Sequence, residues 1–178
     1  MFGKKNKTSD HINKLRLLIG GTALFAGGFI YLINRPPDSA YFIYRYGPIL
    51  SLHRLLPEIS IPFGNSLPEF IHAFSFILIT ASVISNRERG ELVIAFSWCI
   101  IDCVFELAQR YKVVSLSLIP DWFEKFPVLG NCRSYILHGT FDLRDMIAIF
   151  LGSLTAYLIL LTTMRKNGMS LTAVLTQH

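Results

Sequence analysis

Four long apolar segments limit the folds open to this chain: they are residues 15–33, 67–85, 91–109 and 141–164. Crossing a hydrocarbon core about 30 Å thick takes a helix of about 20 mostly apolar residues, and each segment reaches that length. Lipid offers the backbone no hydrogen-bond partner, so a spanning segment is either a helix or a strand of a closed barrel. These segments lack the apolar–polar alternation of barrel strands. The sequence therefore predicts an all-α membrane protein, a single membrane domain with four transmembrane helices.

The composition agrees with a membrane protein. Hydrophobic residues make up 52% of the chain and charged residues 16%, which leaves too little polar surface for a soluble domain of 178 residues. Basic residues precede the first apolar segment, as in a secretory signal, but this segment runs into Asn34, Arg35, Pro36 and Pro37 without a small-residue cleavage site. We therefore expect it to remain attached as an uncleaved anchor.

Lysine and arginine near the ends of the four segments predict the orientation, because short cytoplasmic loops are enriched in them. This pattern puts both termini, including a tail at 165–178, in the cytoplasm, and the connections 34–66 and 110–140 outside. It also explains much of the net charge of +5, so we do not expect the chain to bind nucleic acid. The orienting residues are Lys4, Lys5, Lys7, Lys14 and Arg16 before the first segment, Arg87 and Arg89 between the second and third, and Arg165 and Lys166 after the fourth.

The first outer connection contains a segment, 41–56, that is rich in Tyr, Phe and Leu. Aromatic rings favour headgroup depth and arginine stems reach outward to phosphates, so we expect an interfacial or re-entrant helix there. Arg45 and Arg54 in this segment, and Arg133 in the second outer connection, are candidates for contact with lipid headgroups. Membrane lipids are therefore expected partners.

Small residues form a stripe along the first apolar segment, with Gly20, Ala23 and Gly27 at i, i+3 and i+7. A stripe of this kind lets another helix approach closely. It predicts either packing inside the bundle or a face for a homo-oligomer or a membrane protein partner, and the sequence leaves both open.

Ionisable residues inside the apolar segments carry most of the functional information, because they are costly at membrane depth and usually face the bundle interior. They occur towards the outer ends of the second, third and fourth segments. At a rise of about 1.5 Å per residue, most of them lie about one turn below the outer surface, and Asp102 lies one turn deeper. The sequence therefore predicts a polar site in the outer leaflet. Its residues are His72, Asp102, Glu106, Gln109, Asp142 and Asp145.

Four interpretations of this site remain open. It could be a purely structural network, in which Asp142 caps a helix and His72 hydrogen-bonds to Glu106. It could perform general acid–base chemistry, or hold a divalent cation between His72, Asp102, Glu106 and Asp145, although their spacing matches no specific metal motif. It could also bind the polar head of a lipid or lipid-linked glycan. A nucleophile elbow, a phosphate loop and an HExxH signature are all missing, so we expect no cofactor and assign no metal.

Three stretches resemble the VanZ-like family of small bacterial membrane proteins: LPEFIHAFSFILIT, FELAQRY and GTFDLRDMIAIFLGSLTAY. The family pairs a histidine early in one helix with a later Glu-x-x-Gln and then an Asp-x-x-Ala-Asn-x-x-Gly signature. The resemblance covers about residues 67–160 and implies a multi-pass cell-envelope protein of the bacterial plasma membrane. The matching positions are His72, Glu106, Gln109, Asp145, Ala148 and Gly152.

The chain departs from the family pattern at two positions. Ile149 stands where the family usually has asparagine, and Gly139 lies where an arginine is common before the aspartate. Arg133 is a candidate to replace that arginine in space.

Three functions follow as expectations. The first is an envelope membrane protein whose outer-leaflet polar site binds or modifies a lipid-linked envelope component. The second is a non-enzymatic accessory or scaffold subunit of a membrane complex that contacts its partner through Ala23 and Gly27. The third is a proton-coupled transporter, although no inverted repeat is evident.

Overall fold

The fold is all-helical, as the sequence predicts. A computed structural model of the chain describes residues 12–34, 66–84, 88–126 and 129–175, and within these ranges no strand occurs. The described helices are α1 (Lys14–Asn34), α2 (Leu67–Ile84), α3 (Glu88–Arg110), α4 (Lys112–Leu118), α5 (Cys132–His138) and α6 (Leu143–Leu175). Two 3-10 turns, Asp121–Lys125 and Leu129–Asn131, separate α4 from α5.

Three of the described helices are long and apolar enough to cross a membrane: Lys14–Ile33 of α1, Leu67–Ile84 of α2 and Leu143–Met164 of α6. Their outward faces are apolar, with Phe25 and Phe150 among the exposed side chains. The chain therefore has the helices of a membrane protein. The third predicted span corresponds to α3, which is not in this group and is less apolar on average than the other three long helices.

The core lies along α2, which packs against both α1 and α6. Small residues allow the close approach. A Cβ atom on Gly152 of α6 would collide with the backbone oxygen of Phe70 in α2, so no larger residue fits there without moving a helix. The buried side chains are Phe74, Ile77, Leu78 and Ala81 of α2, Ala95 of α3, and Ala156 and Leu160 of α6.

The small-residue stripe of α1 packs inside the chain, against α2. A Cβ atom on Gly20 would lie 3.0 Å from the backbone oxygen of Ser75, and one on Gly27 would lie 2.6 Å from Cγ2 of Ile71. Ala23 packs against the same core. The sequence left two roles open for this stripe, and in the structure it packs inside the bundle.

A buried ion pair joins three helices at the end of the bundle where α1 and α3 begin. Nη1 of Arg16 donates to Oε1 of Glu91 at 2.6 Å, and the two side chains are 2% and 0% exposed. Nε of Arg16 donates to Oγ1 of Thr163 at 2.8 Å, and Nη2 donates to the carbonyl oxygen of Leu160 at 3.0 Å. The charge pattern counts Arg16 as an orienting residue, but in the structure its guanidinium is enclosed by α1, α3 and α6.

The connection predicted at 110–140 is largely helical, since it contains α4, α5 and both 3-10 turns. At the other end of the chain, α6 continues unbroken through Leu175, past the position 164 at which the predicted span ends. The segment 41–56 with Arg45 and Arg54, and the orienting residues Lys4, Lys5, Lys7 and Arg87, lie outside the described residues.

Candidate functional site

The predicted polar residues gather at one end of the bundle, which we call the site end. Helices α2 and α6 begin there and α3 ends there, because α3 runs antiparallel to both. His72 and Asp145 therefore come from the first turns of their helices, and Glu106 comes from the last turns of α3. The Arg16–Glu91 pair occupies the opposite end.

Glu106 is the buried centre of the site end, at 2% exposure. Its Oε1 accepts a hydrogen bond from the backbone N–H of Asp142 at 3.0 Å, and its Oε2 accepts one from Nε2 of Gln109 at 3.1 Å. One carboxylate thus ties the end of α3 to the start of α6. The Asp142 side chain caps α6 in turn, because its Oδ1 accepts the N–H of Arg144 at 2.9 Å.

Gly139 leaves room for this network. A Cβ atom at this position would collide with the side-chain amide of Gln109, so the amide lies directly against the glycine backbone. A larger residue at position 139, such as the arginine that the resemblance implied, would displace this amide. The other departure, Ile149, is a buried core residue at 2% exposure, where an asparagine would need polar partners.

His72 pairs with Asp102, and not with Glu106 as the structural interpretation of the sequence expected. Nδ1 of His72 lies 3.2 Å from the Asp102 carboxylate. Antiparallel helices pair their residues in opposite order, and Phe76 of α2 lies against Trp98 of α3 with ring centroids 4.9 Å apart. Moving one turn along both helices from that contact brings His72 to Asp102, while the carboxylate of Glu106, one turn further along α3, bonds to Gln109 and to the backbone of Asp142.

The two members of this pair differ in exposure. The side chain of His72 is 48% exposed, while that of Asp102 is 9% exposed. The imidazole packs on the ring of Phe76, at 4.4 Å between centroids, and Trp98 is held by a 3.0 Å hydrogen bond from its Nε1 to Oγ1 of Thr80. A buried carboxylate can fix the tautomer and orientation of such a ring. His72 is therefore an oriented and accessible polar group of the site, and Asp142 is also exposed.

Two residues of the site end were missed from the sequence, Tyr135 and Glu69. Tyr135 lies in α5, and its ring meets the ring of Phe105 edge-on at 6.2 Å. Burial raises the pKa of the Tyr135 phenol, and the nearby carboxylates of Glu106 and Glu69, with Asp145 and Asp102, raise it further. Nothing in the sequence pointed to Tyr135, because only the folding of the 110–140 connection brings it over the bundle.

Asp145 lies close enough to Glu106 for the two carboxylates to repel each other, as does Asp142. The described residues contain no group of three or more His, Cys, Asp or Glu side chains arranged to hold a metal ion. The described residues therefore do not provide the converging ligands that the divalent-cation interpretation of the site requires.

Arg133 is engaged away from the polar site. Its Nη2 donates to Oδ1 of Asp121 at 2.9 Å and to the carbonyl oxygen of Ile119 at 3.2 Å, and its Nε lies 3.5 Å from Oε1 of Glu124. The guanidinium thus holds α5 to the first 3-10 turn. These contacts are with the first 3-10 turn and not with the polar site, and the role of Arg133 as a headgroup contact stays a prediction.

No protein-family model matches this chain, and none of the curated proteins or solved structures compared with it is significantly similar. The class defined by the fold is a helical membrane protein with a polar cluster at one end of the bundle. The resemblance to the VanZ-like family stays a prediction that rests on the motif residues.

Proposed function

We propose that this chain is a VanZ-like protein of the bacterial plasma membrane that spans the bilayer four times, with α3 as the fourth span. Both termini lie in the cytoplasm and the site end faces outward. There the polar site binds or modifies the polar part of a lipid-linked envelope component, with a lipid-linked glycan as the leading candidate. His72 contacts this component, and Asp102 positions His72.

The distribution of side chains around α3 supports its assignment as a span. Three of its acidic residues, Glu91, Asp102 and Glu106, are buried in the bundle. Membrane helices carry their charges in this way, towards the protein interior and away from lipid. The outward face is apolar, with Leu92, Val93, Phe96, Ile100, Ile101 and Val104 all exposed. Its lower average hydropathy thus comes in part from buried carboxylates that lipid would not meet, and its exposed Arg89 and Arg110 lie at the two ends of the helix.

The observation that carries the proposed site is the half-exposed His72–Asp102 pair on the seam between α2 and α3. Exposed apolar side chains of α3, such as Ile101, flank the seam. A ligand with an apolar tail could lie along this surface while its polar group reaches the imidazole. Glu106, Gln109 and Asp142 bond to one another and hold the helices around the seam.

The test is the lipid content of the purified protein. We expect wild-type protein, extracted in mild detergent or polymer discs, to retain a specific polar lipid or polyprenyl-linked lipid detectable by mass spectrometry. His72→Ala removes one hydrogen bond to a polar or charged group, so retention should fall roughly 10- to 100-fold. His138→Ala is the matched control, because His138 is another exposed histidine, whose Nδ1 lies 2.9 Å from the carbonyl oxygen of Ser134.

Two results would contradict the proposal. One is a wild-type lipid profile no different from that of the surrounding membrane. The other is equal loss of lipid in both histidine variants, which would mean that the loss has no connection to the His72–Asp102 seam.

The accessory-subunit alternative has no comparable support. It needed the small-residue stripe as its contact, and Gly20 and Gly27 pack on α2 instead. A partner would have to use another surface of the bundle.

A further inference from the structure

The connection between α3 and α6 presents an unusually apolar exterior. Val113 is 83% exposed and Leu118 is 74% exposed. Trp122 packs with Phe123 and Phe126, at 4.5 Å and 5.9 Å between ring centroids, and is itself half exposed. Contiguous exposed apolar surface is uncommon on a water-facing domain and marks a binding surface. The exposed apolar residues from 111 to 126, which we call the connector face, are Tyr111, Val113, Val114, Leu118, Trp122 and Phe126.

The connector face continues the apolar exterior of α3. The backbone departs from helical geometry at Tyr111, where φ is −109° and ψ is 48°. The last hydrogen bond of α3 runs from the Tyr111 N–H to the Leu107 oxygen at 3.2 Å, and the first of α4 runs from the Ser115 N–H to the Tyr111 oxygen at 2.9 Å. Exposed apolar side chains occur on both sides of this break, Val104 and Leu107 in α3 and Val114 and Leu118 in α4.

The charges of the connection are largely neutralised within it. Arg133 pairs with Asp121 and lies 3.5 Å from Glu124, and Nζ of Lys112 donates to the carbonyl oxygen of Leu137 at 2.9 Å. Among the described residues of the connection, Arg110 and Lys125 remain exposed cations beside the connector face, and Arg110 lies 5.1 Å from the ring centroid of Phe141. Two cations are a small part of this apolar surface, so its partner is recognised mainly by apolar contact and aromatic rings, and long-range charge attraction contributes little.

We propose that the connector face lies in the membrane interface at the site end, with Trp122 at the boundary between headgroups and acyl chains, and that its partner is the lipid surface itself. Aromatic residues are enriched at this depth, and short amphipathic elements bury their apolar side in it. Through Arg133 and Lys112, the interfacial segment supports α5 and so holds Tyr135 beside Glu106. This proposal does not depend on which ligand the polar site takes.

Tryptophan fluorescence tests the proposal, since the chain has two tryptophans and Trp98→Phe leaves Trp122 as the sole reporter. The full chain is reconstituted into phosphatidylcholine vesicles that contain lipids brominated either near the headgroup or near the chain end. We expect blue-shifted emission from Trp122, stronger quenching by the shallow bromines than by the deep ones, and little quenching by iodide in the water phase. Adding an equal amount of phosphatidylglycerol, or raising the salt concentration, should change neither quenching nor emission, because the contact is apolar.

If Trp98→Phe fails to fold, Trp122→Phe supplies the same information, because the difference between wild type and this variant is the Trp122 signal. Red-shifted emission that iodide quenches and brominated lipids do not would overturn the proposal by putting the connector face in water. Protection of Trp122 from both quenchers would also overturn it, since the face would then be covered by protein, such as a second copy of the chain.

Discussion

At the residue scale, two buried glutamates have similar roles at opposite ends of the bundle. Glu106 joins α3 to α6 by accepting the backbone N–H of Asp142, and Glu91 joins α3 to α1 through Arg16. The two glutamates are not equally easy to recognise in the sequence. Glu106 stands out because it lies within an apolar segment, whereas Glu91 begins one and resembles an ordinary helix terminus. Only the reach of the Arg16 side chain from α1 to α3 and α6 reveals that Glu91 is buried.

Removing one partner of the Arg16–Glu91 pair leaves an uncompensated buried charge. We expect Glu91→Leu or Arg16→Met alone to lower the free energy of unfolding by about 3–5 kcal/mol, measured by chemical or thermal unfolding in detergent. The double variant should recover most of that loss, because replacing a whole buried pair by apolar residues is often close to neutral. Arg89→Gln, at an exposed position of the same helix, is the control and should have little effect. A double variant as unstable as the single ones would contradict this account.

Glu106 and His72 should respond differently to mutation. Glu106→Ala strands the N–H of Asp142 and the amide of Gln109, so we expect a loss of about 1–3 kcal/mol in unfolding free energy and less protein in the membrane. His72→Ala removes a half-exposed ring and should leave thermal stability nearly unchanged while lipid retention falls. The comparison needs thermal unfolding and lipid analysis on the same preparations. Unfolding of both variants at the same lowered temperature would show that His72 is structural too.

The raised pKa of Tyr135 predicts how the free energy of unfolding changes with pH. Its pKa is raised in the folded state by burial and by the neighbouring carboxylates. The stability from its neutral phenol is therefore complete below the unfolded tyrosine pKa of about 10 and is lost as the pH rises above that value. We expect the unfolding free energy of wild type to fall more steeply than that of Tyr135→Phe above about pH 10. Parallel curves for the two proteins would mean that the phenol ionises equally well in both states.

At the element scale, a close contact between two helices needs glycine only where the backbone of the neighbouring helix lies directly against that position. Gly152→Ala would push a methyl group into the Phe70 carbonyl oxygen, so we expect α2 and α6 to separate at a cost of about 1–3 kcal/mol in unfolding free energy. Gly28→Ala is the matched control, because no atom lies within 4 Å of a Cβ built there. Thermal unfolding of the two variants should therefore differ clearly. Equal melting temperatures would show that the α2–α6 contact is looser than described.

Three of the four long described helices could be predicted closely from the sequence, α6 extends past its predicted end at 164, and the short helices could not be predicted. Apolar length identifies α2 at 67–84 and α3 at 88–110 to within a few residues, because a long run of apolar side chains has few alternatives in lipid. The helices α4 and α5 have seven residues each. Helices this short depend on tertiary contacts, here the bonds of Arg133 to Asp121 and of Lys112 to Leu137, and no local pattern encodes such contacts.

At the scale of the whole molecule, the end of the bundle that holds the polar site could be predicted, but the pairing within it could not. Alternating helix direction is enough to bring His72, Glu106 and Asp145 to one end. Which side chains meet depends on how each helix is rotated and shifted against its neighbours. In this bundle, that arrangement pairs His72 with Asp102. The buried Arg16 at the opposite end was missed because a basic residue at a helix start also fits an orienting role.

The contacts of Arg16 also bear on how the protein is made. Glu91, Leu160 and Thr163 follow Arg16 by many residues in the chain, so α1 is synthesised well before the groups that surround its guanidinium. During translation α1 carries an unmatched charge at its start, and only the arrival of α3 and then of α6 neutralises and encloses it. The set of contacts around the guanidinium is therefore completed only when α6, the last of the described helices, has been made.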